Sequence, residues 1–416
     1  MQEFLGTIQG YLDKLTLDHW SGIFAIAILI IIILINKHKV KFQPVIGYLI
    51  YMVLFPTKYG LGLMDRIANK YRELVKLYGY VSIGIGFLGM LFIVVTLLIT
   101  VLMWVFQPES QVSQEGFALV LPFTNIPGIG YLSFWHFFIS IFVLAFFHEL
   151  AHGIVARAHN IELKSTGFAF LGIIAPLFPA AFVEPNEEKM KKKSDVVQYS
   201  VFAAGPMANF ILAFIFALLF IYAFAPMEDA VTEPIGFSYE IIDEEGNPSV
   251  EAGIPEEGII SSINNKDVKA YSDFALEMRC VSPGENITIG VGNETYSMTT
   301  IEHIEEGLDI GYVGIRPIQN EGRILEEYEQ WQGPVVGWLT DLMMWLFILN
   351  FAVGLINLLP MGPVDGGRMF GLALENIMGD KNKAYKIWAY VGIFFFAIII
   401  LGLLFTYIGN PFVLLK

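Results

Sequence analysis

Six long apolar runs, at roughly 21–36, 81–106, 133–156, 198–224, 335–358 and 386–408, constrain this chain more than any other feature. About 20 apolar residues cross a bilayer as a helix, and each run has that length with polar or turn-rich flanks. Only 16% of the residues are charged, against about 25% in an average soluble protein, and the mean hydropathy is +0.59. The expected fold is an α-helical polytopic membrane protein of about six transmembrane helices. The first run reads as a retained helix. Glu3, Asp13 and Asp18 outweigh Lys14 ahead of it, and no small-residue cleavage site follows. Two shorter apolar stretches, 43–55 and 165–185, are ambiguous. The first is short for a span, and the second carries Gly167, Gly172, Pro176 and Pro179, which break helices. Either can be re-entrant, because irregular backbone at membrane depth survives where protein covers it or it lines a cavity.

Lysine and arginine alternate between the connecting segments. Residues 37–80 carry eight, 107–132 none and 157–197 six, including Lys191, Lys192 and Lys193. The positive-inside rule then puts 37–80, 157–197 and 366–386 in the cytoplasm, with the N-terminus outside, in what is expected to be the plasma membrane. The insert 225–333 falls outside. It holds 23 acidic residues against five basic ones, which exceeds the whole net charge of -15. Its turn signals, Glu245-Gly246-Asn247-Pro248, Ser282-Pro283-Gly284 and Gly292-Asn293, predict a small α/β domain. The chain thus divides into 1–80, a first catalytic membrane part 81–224, the insert 225–333 and a second membrane part 334–416. The acidic balance argues against a nucleic-acid partner. The lone Cys280 excludes an intramolecular disulfide and a cysteine-based zinc cluster.

The chemistry centres on Phe147-His148-Glu149-Leu150-Ala151-His152-Gly153, inside the third run. Histidines at i and i+4 share a helix face, so both imidazoles can reach one zinc ion, with the glutamate beside it to take a proton from water. Zinc lowers the pKa of bound water from about 16 toward about 7. Three ionisable side chains facing lipid would cost several kcal/mol, so the face must point inward. At about 1.5 Å per residue, the ion lies roughly 13 Å from the cytoplasmic end, in the inner half of the bilayer. Catalytic zinc usually has three protein ligands. The other histidines, His19, His38, His136, His159 and His303, are poorly placed. Asp365 is a better candidate, in the helix-breaking run Asn357-Leu358-Leu359-Pro360-Met361-Gly362-Pro363-Val364-Asp365-Gly366-Gly367-Arg368. A third element, Gly205-Pro206-Met207-Ala208-Asn209, suits close helix packing through Gly205, with Asn209 as a polar group near the site.

Together, His-Glu-x-x-His, Gly-Pro-x-x-Asn and Asn-x-x-Pro-x-x-x-x-Asp-Gly, in that order, resemble the site-2 protease family of intramembrane zinc metalloproteases, and the stretch Tyr59-Gly60-Leu61-Gly62-Leu63-Met64-Asp65-Arg66-Ile67-Ala68 resembles its archaeal members in particular. The resemblance implies one Zn2+ per chain on His148, His152 and Asp365, Glu149 as general base, and Asn357 and Pro360 holding an extended substrate. It implies that 165–185 forms a membrane-embedded hairpin beside the site. The insert resembles a PDZ domain through Ala252-Gly253-Ile254, Gly258-Ile259-Ile260-Ser261-Ser262-Ile263-Asn264 and Pro283-Gly284-Glu285, with Glu256-Glu257 departing from the usual pattern. The expected activity is cleavage of transmembrane segments of other membrane proteins. The alternatives are a silent scaffold using its PDZ-like domain, and a metal or ion transporter.

Overall fold

A computed structural model of the chain describes residues 16–46, 50–108, 117, 120–126, 129–172, 176–242, 246–302, 310–411 and 413. Helix α1 (Leu17–Ile35) precedes strands β1 (Lys41–Ile46) and β2 (Ile50–Thr57), the short helix α2 (Leu61–Lys70) and the long helix α3 (Arg72–Phe106). The hairpin of β3 (Thr124–Ile126) and β4 (Gly130–Leu132) leads into α4 (Phe134–Ala158). Strands β5 (Leu163–Gly172) and β6 (Phe178–Pro185) follow, and then α5 (Asp195–Leu219), which runs on through a π-helical turn to Val231. The insert contributes β7 (Thr232–Ile241), β8 (Ile259–Ile263), α6 (Tyr271–Met278), β9 (Asn286–Val291), β10 (Glu294–Thr299) and β11 (Ile315–Ile324). Helices α7 (Gln332–Ile356), α8 (Asp365–Met378) and α9 (Lys381–Ile408) complete the chain.

Each of the six apolar runs is a helix long and apolar enough to cross a membrane. The helices outrun the apolar stretches: α3 starts at Arg72 and the fourth span ends at Val231, because polar residues at a helix end cost little once the apolar middle is fixed. The described residues of the two ambiguous stretches are largely β-structure. They lie in one four-stranded antiparallel sheet ordered β1-β2-β5-β6. Prolines 44, 56, 179 and 185 disfavour helix in these segments, and pairing gives the backbone groups partners. β2 and β5 run side by side from Tyr51 opposite Gly172 to Thr57 opposite Thr166. Gly167 is required there, since a Cβ on it would lie 2.2 Å from the Phe55 carbonyl oxygen.

The described residues fall into two compact units: Met1–Phe123, Ser133–Leu218 and Leu342–Lys416 in the first, Thr124–Leu132 and Leu219–Asp341 in the second. In the first, α3, α4, α5 and the start of α8 share a core of Val75, Met90, Val155, Ala156, Val201, Ala203, Ala204 and Met369. Small residues bring the helices close: a Cβ at Gly79 would meet Ser200 and Val155, and one at Gly86 would meet Met369 and Ala203. α2 is tied to α4 by an ion pair of Asp65 with Arg157, whose guanidinium holds the Asp65 carboxyl below the usual range.

The second unit carries the α/β pattern expected of the insert. Its sheet has the order β10-β9-β8-β7-β11, with Lys266–Asp267 pairing β8. Phe237, Tyr239, Ile260, Ile263, Ile287 and Ile289 form its core. β11 is the terminal strand, antiparallel to β7 along its whole length, and the backbone N–H of Tyr271 at the start of α6 donates to Asn320 Oδ1 on it. His303 lies outside the described residues.

Candidate metal centre

The i, i+4 spacing on α4 does what helical geometry requires. His148 and His152 are 8% and 9% exposed, and their Nε2 atoms lie 3.1 Å apart. The third donor comes from the far end of the sequence: Asp365 Oδ2 is 3.1 Å from His148 Nε2 and 3.3 Å from His152 Nε2. Ligands of a tetrahedral zinc at about 2.0–2.1 Å are separated by about 3.3 Å, so the triangle has the size zinc needs. Among the described residues these three are the group of His, Cys, Asp and Glu that can hold a metal. Two imidazoles and one carboxylate are a donor set suited to zinc.

The ligand orientations are built by the neighbouring elements. His152 Nδ1 lies 2.6 Å from the Val201 carbonyl oxygen of α5. With its proton on Nδ1, the ring donates to that carbonyl and leaves the Nε2 lone pair for a metal. Pro206 lies inside the same helix and lacks the N–H that would bond the carbonyl of Phe202, the residue after Val201. Asp365 is the first residue of α8. The chain reaches it through a tight connection in which the Gly366 N–H donates to the Asn357 carbonyl at 2.7 Å. A Cβ on Gly366 would lie 2.2 Å from the Leu358 carbonyl, and one on Gly367 would lie 2.3 Å from the Met361 carbonyl oxygen. Only glycines let this connection close against the start of α8.

Gly205 corrects the sequence reading, which gave it a role in helix packing alone. A Cβ there would lie 2.3 Å from His152 Nε2 and 2.6 Å from His148 Nε2. Its missing side chain is the space beside the two imidazole nitrogens, a cradle that a methyl group would fill. The signal was in the sequence as Gly-Pro, but it gains meaning only once α5 is known to cross α4 at this turn.

Glu149 is half-buried and is not part of the donor triangle. Its Oε2 accepts the backbone N–H of Val183 on β6 at 2.9 Å. Asn209 is fully buried, and neither its Oδ1 nor its Nδ2 has a partner among the described residues. It lies against α7, where a Cβ on Gly354 would approach its own Cβ. Asn350, one helical turn before Gly354, is also fully buried; its Nδ2 donates to Leu346 while Oδ1 is unpartnered. Neither Val183 nor Asn350 stood out in the sequence. Asn357 lies in the connection to Asp365 and is half-buried, and Pro360 is buried there.

A profile of peptidase family M50 matches residues 136–399, more than half of the chain. An uncharacterized protein of Methanocaldococcus jannaschii is 26% identical over 79% of this chain and 79% of its own length. The probable protease eep of Enterococcus faecalis is 26% identical over 44% of this chain and 51% of that protein. The zinc metalloprotease RasP of Oceanobacillus iheyensis is 22% identical over 50% of this chain and 59% of that protein.

Proposed function

Because this chain belongs to peptidase family M50 and is a multi-pass membrane zinc metalloprotease, we propose that it cuts transmembrane segments of other membrane proteins at a site made by His148, Glu149, His152 and Asp365. The observation that carries the reading is the position of the donor triangle. Two of its members lie within the C-terminal half of α4, an apolar helix of membrane-crossing length, and are more than nine-tenths buried. Charged and metal-binding side chains at that depth are costly unless they serve a site.

Zinc, when bound, supplies Lewis acidity that acidifies water and polarises a peptide carbonyl. The residues supply the rest. His148, His152 and Asp365 hold the ion. Glu149 takes the proton of the attacking water and passes it to the departing amine nitrogen. A transmembrane substrate arrives as a helix with its carbonyls bonded, so it must unwind before it can react. Asn209 offers both an unpartnered donor and an unpartnered acceptor, which match one freed peptide unit, and Asn357 and Pro360 contribute to the same substrate path. β6, the terminal strand of its sheet, supports strand addition as a second source of partners.

The insert is read as a PDZ-like domain. Its support is the terminal strand β11 with helix α6 tied to it through Tyr271 and Asn320, the kind of strand and helix edge onto which a peptide adds. In this reading the insert and the N-terminus face outside, and the site lies in the cytoplasmic half of the plasma membrane. A cysteine at 192 in a Cys280→Ser background tests the orientation. It is expected to react with an impermeant thiol reagent only after the membrane is opened; labelling in intact cells would invert the topology.

The activity is tested with purified protein and a single-span substrate in liposomes. Wild type is expected to cut within the apolar segment, and Glu149→Gln to leave the substrate intact. A cut mapped outside the membrane segment, or none at all by a zinc-loaded wild type, would count against intramembrane cleavage.

A further inference from the structure

Glu149 makes a contact that the helix alone does not explain. Val183 donates its backbone N–H to Glu149 Oε2. β6 pairs with β5 on one side only and closes the sheet on the other. In an antiparallel ladder, N–H groups point alternately toward the partner strand and away from it. Val183 stands opposite Thr166, Phe182 opposite Gly167, Ala181 opposite Phe168 and Pro179 opposite Phe170. Val183, Ala181 and Pro179 therefore belong to one set, and the bond of Val183 to Glu149 makes it the outward one. Pro179 has no N–H to give, which fits a place in the unpaired row. The Val183 N–H thus leaves the sheet and reaches the carboxylate of α4. Val183 is also packed on the same helix, since a Cβ on Gly153 would lie 3.3 Å from its Cγ1.

We propose that the backbone N–H of Val183 is a positioning group for Glu149: the β5–β6 hairpin holds one carboxylate oxygen so that the other faces the water it must deprotonate. The inference rests on the peptidase reading above. A carboxylate on a flexible two-carbon stem has several rotamers, and one charge-assisted hydrogen bond from a fixed strand selects among them. The donor is a main-chain group, so no side chain at position 183 can supply or remove it except proline. The hairpin is then part of the catalytic machinery through its backbone.

Val183→Pro removes the donor at an outward edge position, where proline is tolerated. It is expected to keep one zinc per chain and a near-normal KM while kcat falls about 10- to 100-fold, the usual cost of losing a partner that orients a metal-site group. Val183→Ile keeps the N–H and is expected to restore kcat. A zinc-loaded Val183→Pro with wild-type kcat, or a Val183→Ile as impaired as the proline variant, would overturn the proposal. A second measurement needs neither activity nor the proline variant. Amide hydrogen exchange at Val183 is expected to speed at least about 10-fold in Glu149→Ala relative to wild type, since an unbonded edge amide exchanges freely. Unchanged exchange there sinks the proposal. Failure of zinc-loaded wild type to cleave any membrane segment, with the exchange difference present, would instead count against the peptidase reading alone.

Discussion

Gly205→Ala is expected to purify without zinc and to show no cleavage above background. A methyl group at this position would lie 2.3 Å and 2.6 Å from the two Nε2 atoms, far inside van der Waals contact. The imidazoles have no easy retreat. His152 is pinned through Nδ1 to the Val201 carbonyl, and both rings are buried. A ring that did turn away would take its lone pair off the metal, where bonds of about 2.0–2.1 Å leave little tolerance. The loss comes without a lost ligand and against helix propensity, which favours alanine over glycine by about 1 kcal/mol. Gly84→Ala on α3 is the matched control, because a Cβ there meets nothing within 4 Å. It is expected to keep zinc, activity and stability. Metal analysis of the two variants decides the matter; a zinc-replete, active Gly205→Ala would mean that the cradle is not where the metal sits.

The contrast between Gly205 and the histidines shows which parts of the site the sequence can express. Two histidines one turn apart share a helix face whatever surrounds them, so His148 and His152 were readable from spacing alone. Asp365 was readable less directly, because prolines and glycines ahead of it announce a broken chain that can turn a carboxylate inward. Gly205 carries no side chain to mark it, and its role depends on which turn of α5 crosses α4. Val183 is harder still: the functional group is a backbone N–H, identical in every residue but proline. The fold divides in the same way. Six spans follow from apolar length, a local property. The pairing of β2 with β5 joins residues more than 100 positions apart, and apolar length could not tell those strands from re-entrant helix. The density of prolines and glycines was the better guide: a single proline can sit inside a helix, as Pro206 does in α5, but several close together disfavour one.

Asp365→Ala and Glu149→Gln are expected to fail in different ways, and the difference assigns the third ligand. Glu149 follows His148 by one residue, about 100° round the helix. Its carboxylate is accordingly outside the donor triangle and bonded to Val183. Glu149→Gln should keep zinc near one per chain and lose about 10²- to 10⁴-fold in kcat, the range of a general base. Asp365 Oδ2 instead lies within 3.1 Å and 3.3 Å of the two imidazole nitrogens. Its removal leaves two neutral donors and no negative charge to offset the ion in a buried site. Asp365→Ala should therefore lose both zinc and cleavage. The substitution takes away a side chain from the start of α8, while Gly366 and Gly367 still close the connection, so the fold has no other reason to fail. Thermal unfolding in the presence of a chelator checks this: wild type and Asp365→Ala should then unfold at similar temperatures, and only wild type should gain stability when zinc is restored. Full zinc retention in Asp365→Ala would remove it from the ligand set and turn the assignment to Asn209 or Asn357.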